Sequence, residues 1–377
     1  MMVMIKGEIK GFCPSNYQEV ADKFLENLNS EEEIGASFTV IQNGKLIIDI
    51  HGGFKDKEQT DLWNADTLVG VHSTGKGIIS MLIALLIDQK KLDLDEFVSS
   101  YWPEFHGDKK EEIKVRTLLS HQGGMYAWRE KVHEDDFHNW GYVVELLEKQ
   151  SPFHKPNELI CYHPKTIGFL VGELIKRITK KTIGEFLKEQ ISIPLNADCF
   201  IGTPEVYHDN IATLISAPSL RKAFSDPKNI DEYTMVSFLN PGNRTKTANT
   251  KEYRLAEIPA LNCHSNSKSL AQIYDYFLNS DFISRETFDQ VTSIEVKGED
   301  QVMKRPMQWS PIGFSIGGGK LFGKSNRSFG HTGWGGSMAF ADPENNLSIS
   351  YTMNMLTGSM LGDQRALSLV ETTYKNL

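Results

Sequence analysis

The sequence of 377 residues contains only 4 cysteines. Cys13, Cys161, Cys199 and Cys263 lie far apart, and no two of them form a C-x-x-C pair. Disulfide-rich secreted scaffolds and structural zinc sites both need closely and regularly spaced cysteines. The scarcity therefore argues against both classes, and it is typical of inert thiols or of a protein in a reducing compartment.

Basic residues are not in excess either. Lys and Arg total 40, Asp and Glu total 49, and the formal net charge at pH 7 is −9. Because proteins that bind nucleic acids usually carry a basic surface, we expect no nucleic-acid partner.

Long apolar runs are also lacking. No stretch resembles a membrane span, and the start, Met1–Glu8, has neither the basic region nor the long apolar region of a signal peptide. We therefore expect a cytoplasmic protein that does not associate with a membrane.

The residues that are present are those of a globular protein. Hydrophobic residues make up 40% and charged residues 24% of the chain, which are ordinary proportions for this class. The length exceeds the usual size of one compact core, so two lobes are expected.

The N-terminal end combines a helix with two strands. Apolar residues recur at helical spacing from Pro14 to Leu28, and two β-rich runs follow, Ala36–Ile41 and Lys45–Ile50. Between the runs, Asn43-Gly44 predicts a type I′ hairpin turn, since both residues tolerate the positive φ that this turn needs.

The C-terminal end repeats this mixture. A short capped helix is predicted near Ser284–Val291, and strands are predicted over Gly313–Gly317, Ser337–Ala341 and Leu347–Met353. A closing amphipathic helix is predicted over Ala366–Tyr374.

The middle of the chain is mostly helical, and it also holds a long irregular segment, 202–261, of the kind that is usually a functional cover or a mobile segment. The predicted helices are 77–90, 112–120, 140–149, 164–179, 182–190 and 267–279. The pattern predicts an α+β fold: an antiparallel β-sheet domain from residues 1–66 and 285–377, flanked by N- and C-terminal helices. A mostly α-helical domain, residues 67–284, is inserted into it.

Three motifs invite a function that their context does not support. Gly313–Gly317 matches the G-x-S-x-G nucleophile elbow and Gly318–Ser325 matches a phosphate-binding loop, but no helical pattern follows either one. His133–His138 carries two histidines and several acids without a third ligand cluster. We expect a strand, a glycine-rich turn and a solvated loop, with no metal and no nucleotide cofactor.

A fourth motif, Ser73-x-x-Lys76, opens an apolar segment in which only Ser80 and Ala84 interrupt Ile, Met and Leu from residue 78 to 87. A helix that is apolar all round is buried. Residues three apart share a helix face, so the serine hydroxyl and the lysine amine project into one space. Unpaired N–H groups at the helix start favour developing negative charge, which suits a nucleophile and its base.

Two later segments offer the groups that such a serine needs. Tyr162 stands just before the helical segment that begins near Lys165, so its phenol can enter a cleft. The segment Gly330–Ser337 enters a strand through small residues, which allow a substrate to approach the backbone closely. One of its N–H groups, together with the Ser73 N–H, would form a two-donor oxyanion hole.

Taken together, these motifs resemble the serine β-lactamase and penicillin-binding-protein superfamily on its class C side, and most of all the family VIII carboxylesterases. The first family motif, S-x-x-K, corresponds to Ser73–Lys76. The tyrosine of the second, Y-x-N, corresponds to Tyr162, and the third corresponds to His331-Thr332-Gly333 before Gly335-Gly336-Ser337. Supporting segments are Leu92–Asp95, Tyr101–Phe105, Thr117–His121 and Phe340–Pro343. The resemblance runs from about residue 15 to the C-terminus, and it implies the same architecture. Family VIII members can carry a G-x-S-x-G serine that takes no part in catalysis, which agrees with discounting Ser315.

Two positions depart from the family pattern. The asparagine of Y-x-N is Pro164, and the lysine of K-T-G is His331, whose charge is not fixed at neutral pH. Both departures favour esters over β-lactams, because an alkoxide leaving group demands less of the proton donor.

The resemblance implies a serine hydrolase that cleaves small carboxylic esters through an acyl-enzyme on Ser73. Lys76 and Tyr162 would act as base and proton shuttle. Trp334, His331 and Gly333 would form the oxyanion and substrate-binding part. A β-lactamase, D-amino-acid peptidase or amide hydrolase on the same machinery is the alternative, and a non-catalytic binding protein is a more remote one. The expected partner is a small ester or amide, and the oligomeric state is left open.

Overall fold

The structure is a computed structural model, and it describes residues 8–223, 231–242, 244–317, 321–359 and 361–377. Within these ranges the strands are β1 (Lys10–Phe12), β2 (Gly35–Gln42), β3 (Lys45–Gly53), β4 (Val69–Gly70), β5 (Cys199–Phe200), β6 (Ile215–Ser216), β7 (His264–Ser265), β8 (Val296–Asp300), β9 (Arg305–Trp309), β10 (Ser315–Ile316), β11 (Phe329–Thr332), β12 (Met338–Asp342), β13 (Leu347–Met353) and β14 (Met355–Leu356).

The α-helices of the same ranges are α1 (Gln18–Leu28), α2 (Gly75–Asp88), α3 (Val98–Tyr101), α4 (Val115–Leu119), α5 (Trp140–Lys149), α6 (Thr166–Thr179), α7 (Ile183–Leu187), α8 (Ile193–Leu195), α9 (Pro218–Ala223), α10 (Glu232–Phe238), α11 (Thr245–Ala248), α12 (Lys251–Leu255), α13 (Ser267–Asn279), α14 (Arg285–Val291) and α15 (Gln364–Lys375).

The main sheet takes its strands from both ends of the chain. Its order is β1-β3-β2-β13-β12-β11-β10-β9-β8, and neighbouring strands are antiparallel. The two ends meet where β2 pairs with β13, from Ala36 opposite Met353 to Gln42 opposite Leu347. The terminal helices α1 and α15 pack together, and α13 packs on β2, β12 and β13. The predicted α+β fold with an antiparallel sheet is confirmed, while its division into two domains stays a prediction.

Local signals explain several element boundaries. Asn43 and Gly44 have φ values of 51° and 70°, as the predicted type I′ turn requires. Ser284 caps α14 by accepting a hydrogen bond from the Thr287 N–H at 3.2 Å, because a cap oxygen satisfies a first-turn donor.

The apolar helix α2 lies in the interior. Every residue from Gly75 to Leu86 is buried, and the helix contacts α6, α14 and β11. It begins at Gly75 rather than at Ser73, since His72–Thr74 forms a 3-10 turn. The predicted burial of this helix is confirmed, and its sequence places Ser73 at the junction of helices and sheet.

Other elements differ from the sequence-based expectation. The pattern did not predict β1, β8, β9 or β11, and β10 covers only two residues of the predicted strand Gly313–Gly317. Short strands give too few residues for a period-2 pattern to emerge. The irregular segment 202–261 contains several short helices, α9 to α12, within its described part. In the described parts of the chain, no helix is both long and apolar enough to cross a membrane.

Candidate active site

The turn that carries Ser73 is tied to the hairpin between β11 and β12. The Ser337 hydroxyl donates to the Val71 carbonyl at 2.8 Å and lies 2.9 Å from the Thr74 hydroxyl. The same Val71 carbonyl accepts from the Thr74 N–H at 3.1 Å. These bonds hold the turn that carries Ser73 against the sheet, so the position of Ser73 depends on the hairpin as well as on the turn.

Gly333 allows this close approach. A Cβ at this position would lie 2.1 Å from Ser337 Oγ and 2.3 Å from the Val71 carbonyl oxygen. Real side chains do not tolerate such distances, so this glycine is required by contact rather than by its backbone angles.

Replacing Gly333 with alanine is expected to lower kcat about 10²-fold, because the turn that carries Ser73 must shift. The overpacking should also cost about 1–3 kcal/mol of unfolding free energy. Gly141→Ala in α5 is the matched control, since its Cβ would meet nothing closer than 3.8 Å. Equal activity in the two variants, measured beside thermal unfolding, would contradict this assignment.

Lys76 meets Ser73 as the S-x-x-K spacing predicts. Its Nζ donates to Ser73 Oγ at 2.7 Å and to the Ala260 carbonyl at 3.0 Å. The side chain is only 4% exposed. Burial, followed by the nearby Lys165 cation, lowers the pKa of Lys76 well below its ordinary value. A neutral amine beside the hydroxyl can accept the serine proton.

Tyr162 completes a group of three around the serine. Its hydroxyl hydrogen-bonds to the Ser73 side chain, and its ring centroid lies 5.3 Å from Lys76 Nζ. The ring stacks on Trp309 at 5.4 Å, and the backbone N–H of Tyr162 donates to Asp300 Oδ1 at 3.0 Å. Burial raises the pKa of Tyr162 above its ordinary value, so the phenol keeps its proton and can donate it.

His331 lies beside this group as a neutral ring. Its Nδ1–H donates to the Thr332 carbonyl at 2.7 Å, and its Nε2 has no hydrogen-bond partner among the described residues. Burial, and then the nearby Lys76 when its amine is protonated, lowers the pKa of His331 to about 3. The imidazole therefore carries no charge at neutral pH, and its ring lies 5.9 Å from that of Tyr162.

A mainly apolar cavity of about 430 Å³ opens on Ser73. Its size falls in the range of small-ligand sites. Trp334 belongs to the lining, as predicted for the substrate-binding part, and its ring meets His72 edge-on at 5.5 Å. The lining consists of His72, Ser73, Pro164, Lys165, Ser216, Leu220, Phe238, Leu239, Gly242, Arg244, Thr245, Leu261 and Trp334. Several of these residues come from the segment 202–261.

The sequence did not indicate two residues that the structure places at the site. Lys165 lines the cavity although it is only 3% exposed. His121 packs edge-on against Tyr162 at 5.0 Å and Trp309 at 4.4 Å, and its Nδ1 accepts from the His163 N–H at 3.3 Å. The only sequence signals were the position of Lys165 next to Tyr-His-Pro and the segment Thr117–His121.

The three motifs that the sequence analysis discounted contribute none of their described residues to the group around Ser73. Ser315 is in strand β10, and no bond of the described residues joins its hydroxyl to a histidine, lysine or acid. Residues 321–328 contain no helix, and 318–320 of the loop-like Gly318–Ser325 motif lie outside the described residues. Residues 134–138 form a 3-10 turn whose first turn is capped by His133 and Asp136.

Comparison with known proteins places the chain in one family. Residues 20–372 match the family model described as beta-lactamase. The crystal structure of a family VIII carboxylesterase superposes with a TM-score of 0.91 and 31% identity, covering 98% of this chain and 100% of that one. A penicillin-binding-protein homologue from Caulobacter crescentus superposes with a TM-score of 0.87 and 30% identity, with the same coverage.

A curated relative supports the same assignment. The esterase/beta-lactamase LipL from Mycobacterium tuberculosis is 25% identical over 354 residues, covering 87% of this chain and 78% of that protein. The family match spans nearly the whole sequence, including every predicted site residue. The chain therefore belongs to the beta-lactamase family and is an enzyme of the serine hydrolase type.

Proposed function

We propose that this protein is a carboxylesterase that cleaves small carboxylic esters through an acyl-enzyme on Ser73. The observation that carries the proposal is the 2.7 Å bond from Lys76 Nζ to the Oγ of Ser73, a residue that lines a mainly apolar cavity. An amine held neutral by burial can act as the base that a serine nucleophile needs.

In the proposed acylation step, Ser73 Oγ forms a bond to the ester carbonyl carbon while Lys76 takes the hydroxyl proton. The N–H groups of Ser73 and Trp334 bind the oxyanion. The carbon–oxygen bond to the alcohol then breaks. Tyr162 gives the leaving oxygen a proton and is reprotonated from Lys76. Water attacks the acyl-enzyme by the reverse path, which releases the acid and restores Ser73.

Two features favour esters over β-lactams. Pro164 lines the cavity where the family motif has an asparagine, and its side chain has no group to hydrogen-bond a substrate amide. His331 is neutral where the motif has a lysine. The main alternative is β-lactam, D-amino-acid peptide or amide hydrolysis by the same residues, and the name of LipL includes such an activity. A non-catalytic binding protein is the remote alternative.

The test compares p-nitrophenyl esters of increasing acyl length with a chromogenic cephalosporin and a D-alanyl anilide. We expect a higher kcat/KM for a short or medium ester than for either amide substrate, and covalent labelling of Ser73 by a fluorophosphonate. Faster cephalosporin or anilide turnover would favour the alternative activity. No labelling and no turnover would favour the binding protein.

The protonation of His331 gives a pH prediction. Its pKa is lowered from 6.5 to about 3, so the ring stays neutral as the pH rises through 6.5 and its charge does not change there. We therefore expect no fall in kcat/KM near that pH, and an unchanged profile shape in His331→Gln. A descending limb near pH 6.5 that disappears in His331→Gln would show that an imidazolium is needed.

We also propose that the protein works in a reducing compartment such as the cytoplasm. The four cysteines are free thiols. Cys199 Sγ and Cys263 Sγ lie 3.7 Å apart without a bond, a separation from which an oxidising compartment would favour pairing. A thiol count on protein purified without reductant checks this proposal: fewer than four reactive thiols after denaturation would contradict it.

A further inference from the structure

Lys165 has an unusual environment for a lysine. It lies directly before α6 and three residues after Tyr162, and it is only 3% exposed. Its Nζ donates to the Phe238 carbonyl at 2.7 Å and to the Pro241 carbonyl at 2.5 Å. The lysine therefore connects the segment that carries Tyr162 with the end of α10 and the turn after it.

That turn is one wall of the cavity that opens on Ser73. Phe238, Leu239 and Gly242 line the cavity, as Lys165 does. Asn240 holds the outer side of the wall, since its Oδ1 accepts from the Val132 N–H at 2.9 Å. Lys165 is thus the inner support of a wall that an acyl group would touch.

Among the described residues, the ammonium of Lys165 has no ionic partner. None of the ion pairs of the described residues involves Lys165. The negative charge of Glu134 raises the pKa of Lys165, but the Glu134 carboxylate accepts its hydrogen bonds from the Arg244 N–H and the Thr247 hydroxyl. A buried cation without a counter-ion costs free energy. The groups that surround Lys76 indicate a function for the Lys165 cation.

Several groups face Lys76, but nearly all of them are uncharged at neutral pH. Burial lowers the pKa of His72 to about 4 and of His331 to about 3, and it holds the pKa of His121 well below its ordinary value. Among the described residues, Lys76 is also near the Ser73 hydroxyl, the Ala260 carbonyl, the Tyr162 phenol and Lys165. Burial lowers the pKa of Lys165 only to about 7, so Lys165 carries its positive charge below that pH.

We propose that Lys165 is a positioning residue of the esterase site, a role that rests on the proposed function. Its ammonium holds the Phe238–Pro241 wall in place. It also places a positive charge near Lys76. The lysine of the family motif K-T-G, which could supply such a charge, is His331 in this chain. A neighbouring cation favours the neutral form of an amine, so Lys165 keeps Lys76 ready to accept the Ser73 proton.

The variant Lys165→Gln separates charge from hydrogen bonding, because the amide keeps two N–H donors but carries no charge. The readout is the rate of fluorophosphonate labelling of Ser73 as a function of pH. The loss of the cation raises the pKa of Lys76. The pH below which labelling is lost should therefore rise by about one unit. At alkaline pH the rate should approach that of the wild type.

Two further variants make the result decisive. Lys110→Gln is the matched control, because Lys110 is also buried and its ammonium donates to the Glu148 carbonyl, away from the cavity; it should leave the acidic limb unchanged. Lys165→Arg keeps the charge and should keep the limb at or below the wild-type pH. If Lys165→Gln does not fold, as thermal unfolding will show, a limb above the wild-type pH in Lys165→Arg overturns the proposal.

A folded Lys165→Gln protein with the wild-type acidic limb also overturns it. An equal loss of labelling at every pH would overturn it too, because Lys165 would then support the wall without acting on Lys76. The two proposals fail in different ways. Labelling needs no ester turnover, so a shifted limb without ester hydrolysis supports Lys165 and removes the esterase. Ester hydrolysis by the wild type with no shift in Lys165→Gln keeps the esterase and removes Lys165.

Discussion

Replacing Ser73 with alanine is expected to reduce hydrolysis of a p-nitrophenyl ester at least about a thousandfold. The Ser73 hydroxyl is the one that receives the Lys76 bond at 2.7 Å and meets the Tyr162 hydroxyl. Without it, no acyl-enzyme forms and only binding and the oxyanion donors can assist water. The kcat with ester and the loss of fluorophosphonate labelling measure the effect.

The matched control is Ser315→Ala, which removes the serine of the G-x-S-x-G motif. Ser315 is buried in strand β10, so alanine should leave kcat and labelling close to the wild type. Thermal unfolding of both variants shows whether they fold. Full ester hydrolysis by a folded Ser73→Ala protein would end the proposed mechanism, and a loss in Ser315→Ala alone would move the nucleophile to β10.

The features that the sequence predicted well are those that depend on short separations along the chain. Ser73 and Lys76 are three residues apart, so a helical turn alone brings their side chains together. The apolar run after Lys76 likewise predicted a buried helix, and α2 is buried through Leu86. Asn43-Gly44 predicted its hairpin for the same local reason.

Features that depend on distant contacts could be predicted only in part. The resemblance placed Tyr162 in the site, but the stacking on Trp309 and the bond from the Tyr162 N–H to Asp300 come from strands β8 and β9, which the pattern did not predict. Protonation is a similar case. Tertiary packing buries His331 and lowers its pKa to about 3, and no spacing in the sequence encodes this burial.

The burial of Lys165 is the feature that the sequence predicted least well. In the sequence it is an ordinary lysine at a helix start, where exposure is the usual expectation. Its burial follows from the approach of Phe238 and Pro241, whose carbonyls accept its hydrogen bonds. That contact is made by the irregular segment 202–261, for which propensity and periodicity predicted no conformation.

Replacing Lys76 with methionine is expected to lower kcat about 10²–10⁴-fold, the usual contribution of a general base. Methionine fills a similar volume, so the buried position should tolerate it better than a polar residue. In the wild type, activity should also fall as the pH drops through the lowered pKa of Lys76, because the protonated amine cannot accept the Ser73 proton. The pH profile of kcat/KM measures this limb, which the methionine variant should lack.

Lys76→Arg decides whether the amine acts as a base or as a positive charge. A guanidinium stays protonated in proteins, so as a base it fails, and we expect Lys76→Arg to be as inactive as Lys76→Met. If the charge alone mattered, the arginine variant would keep much of the activity, and the role of the base would pass to Tyr162. Lys176→Met, which changes an exposed lysine of α6 that pairs with Glu173 at 3.8 Å, is the control and should retain wild-type kcat. Burial disfavours the charged form of Lys76 in the wild type, and the neutral amine that results is the form that can accept the proton of Ser73.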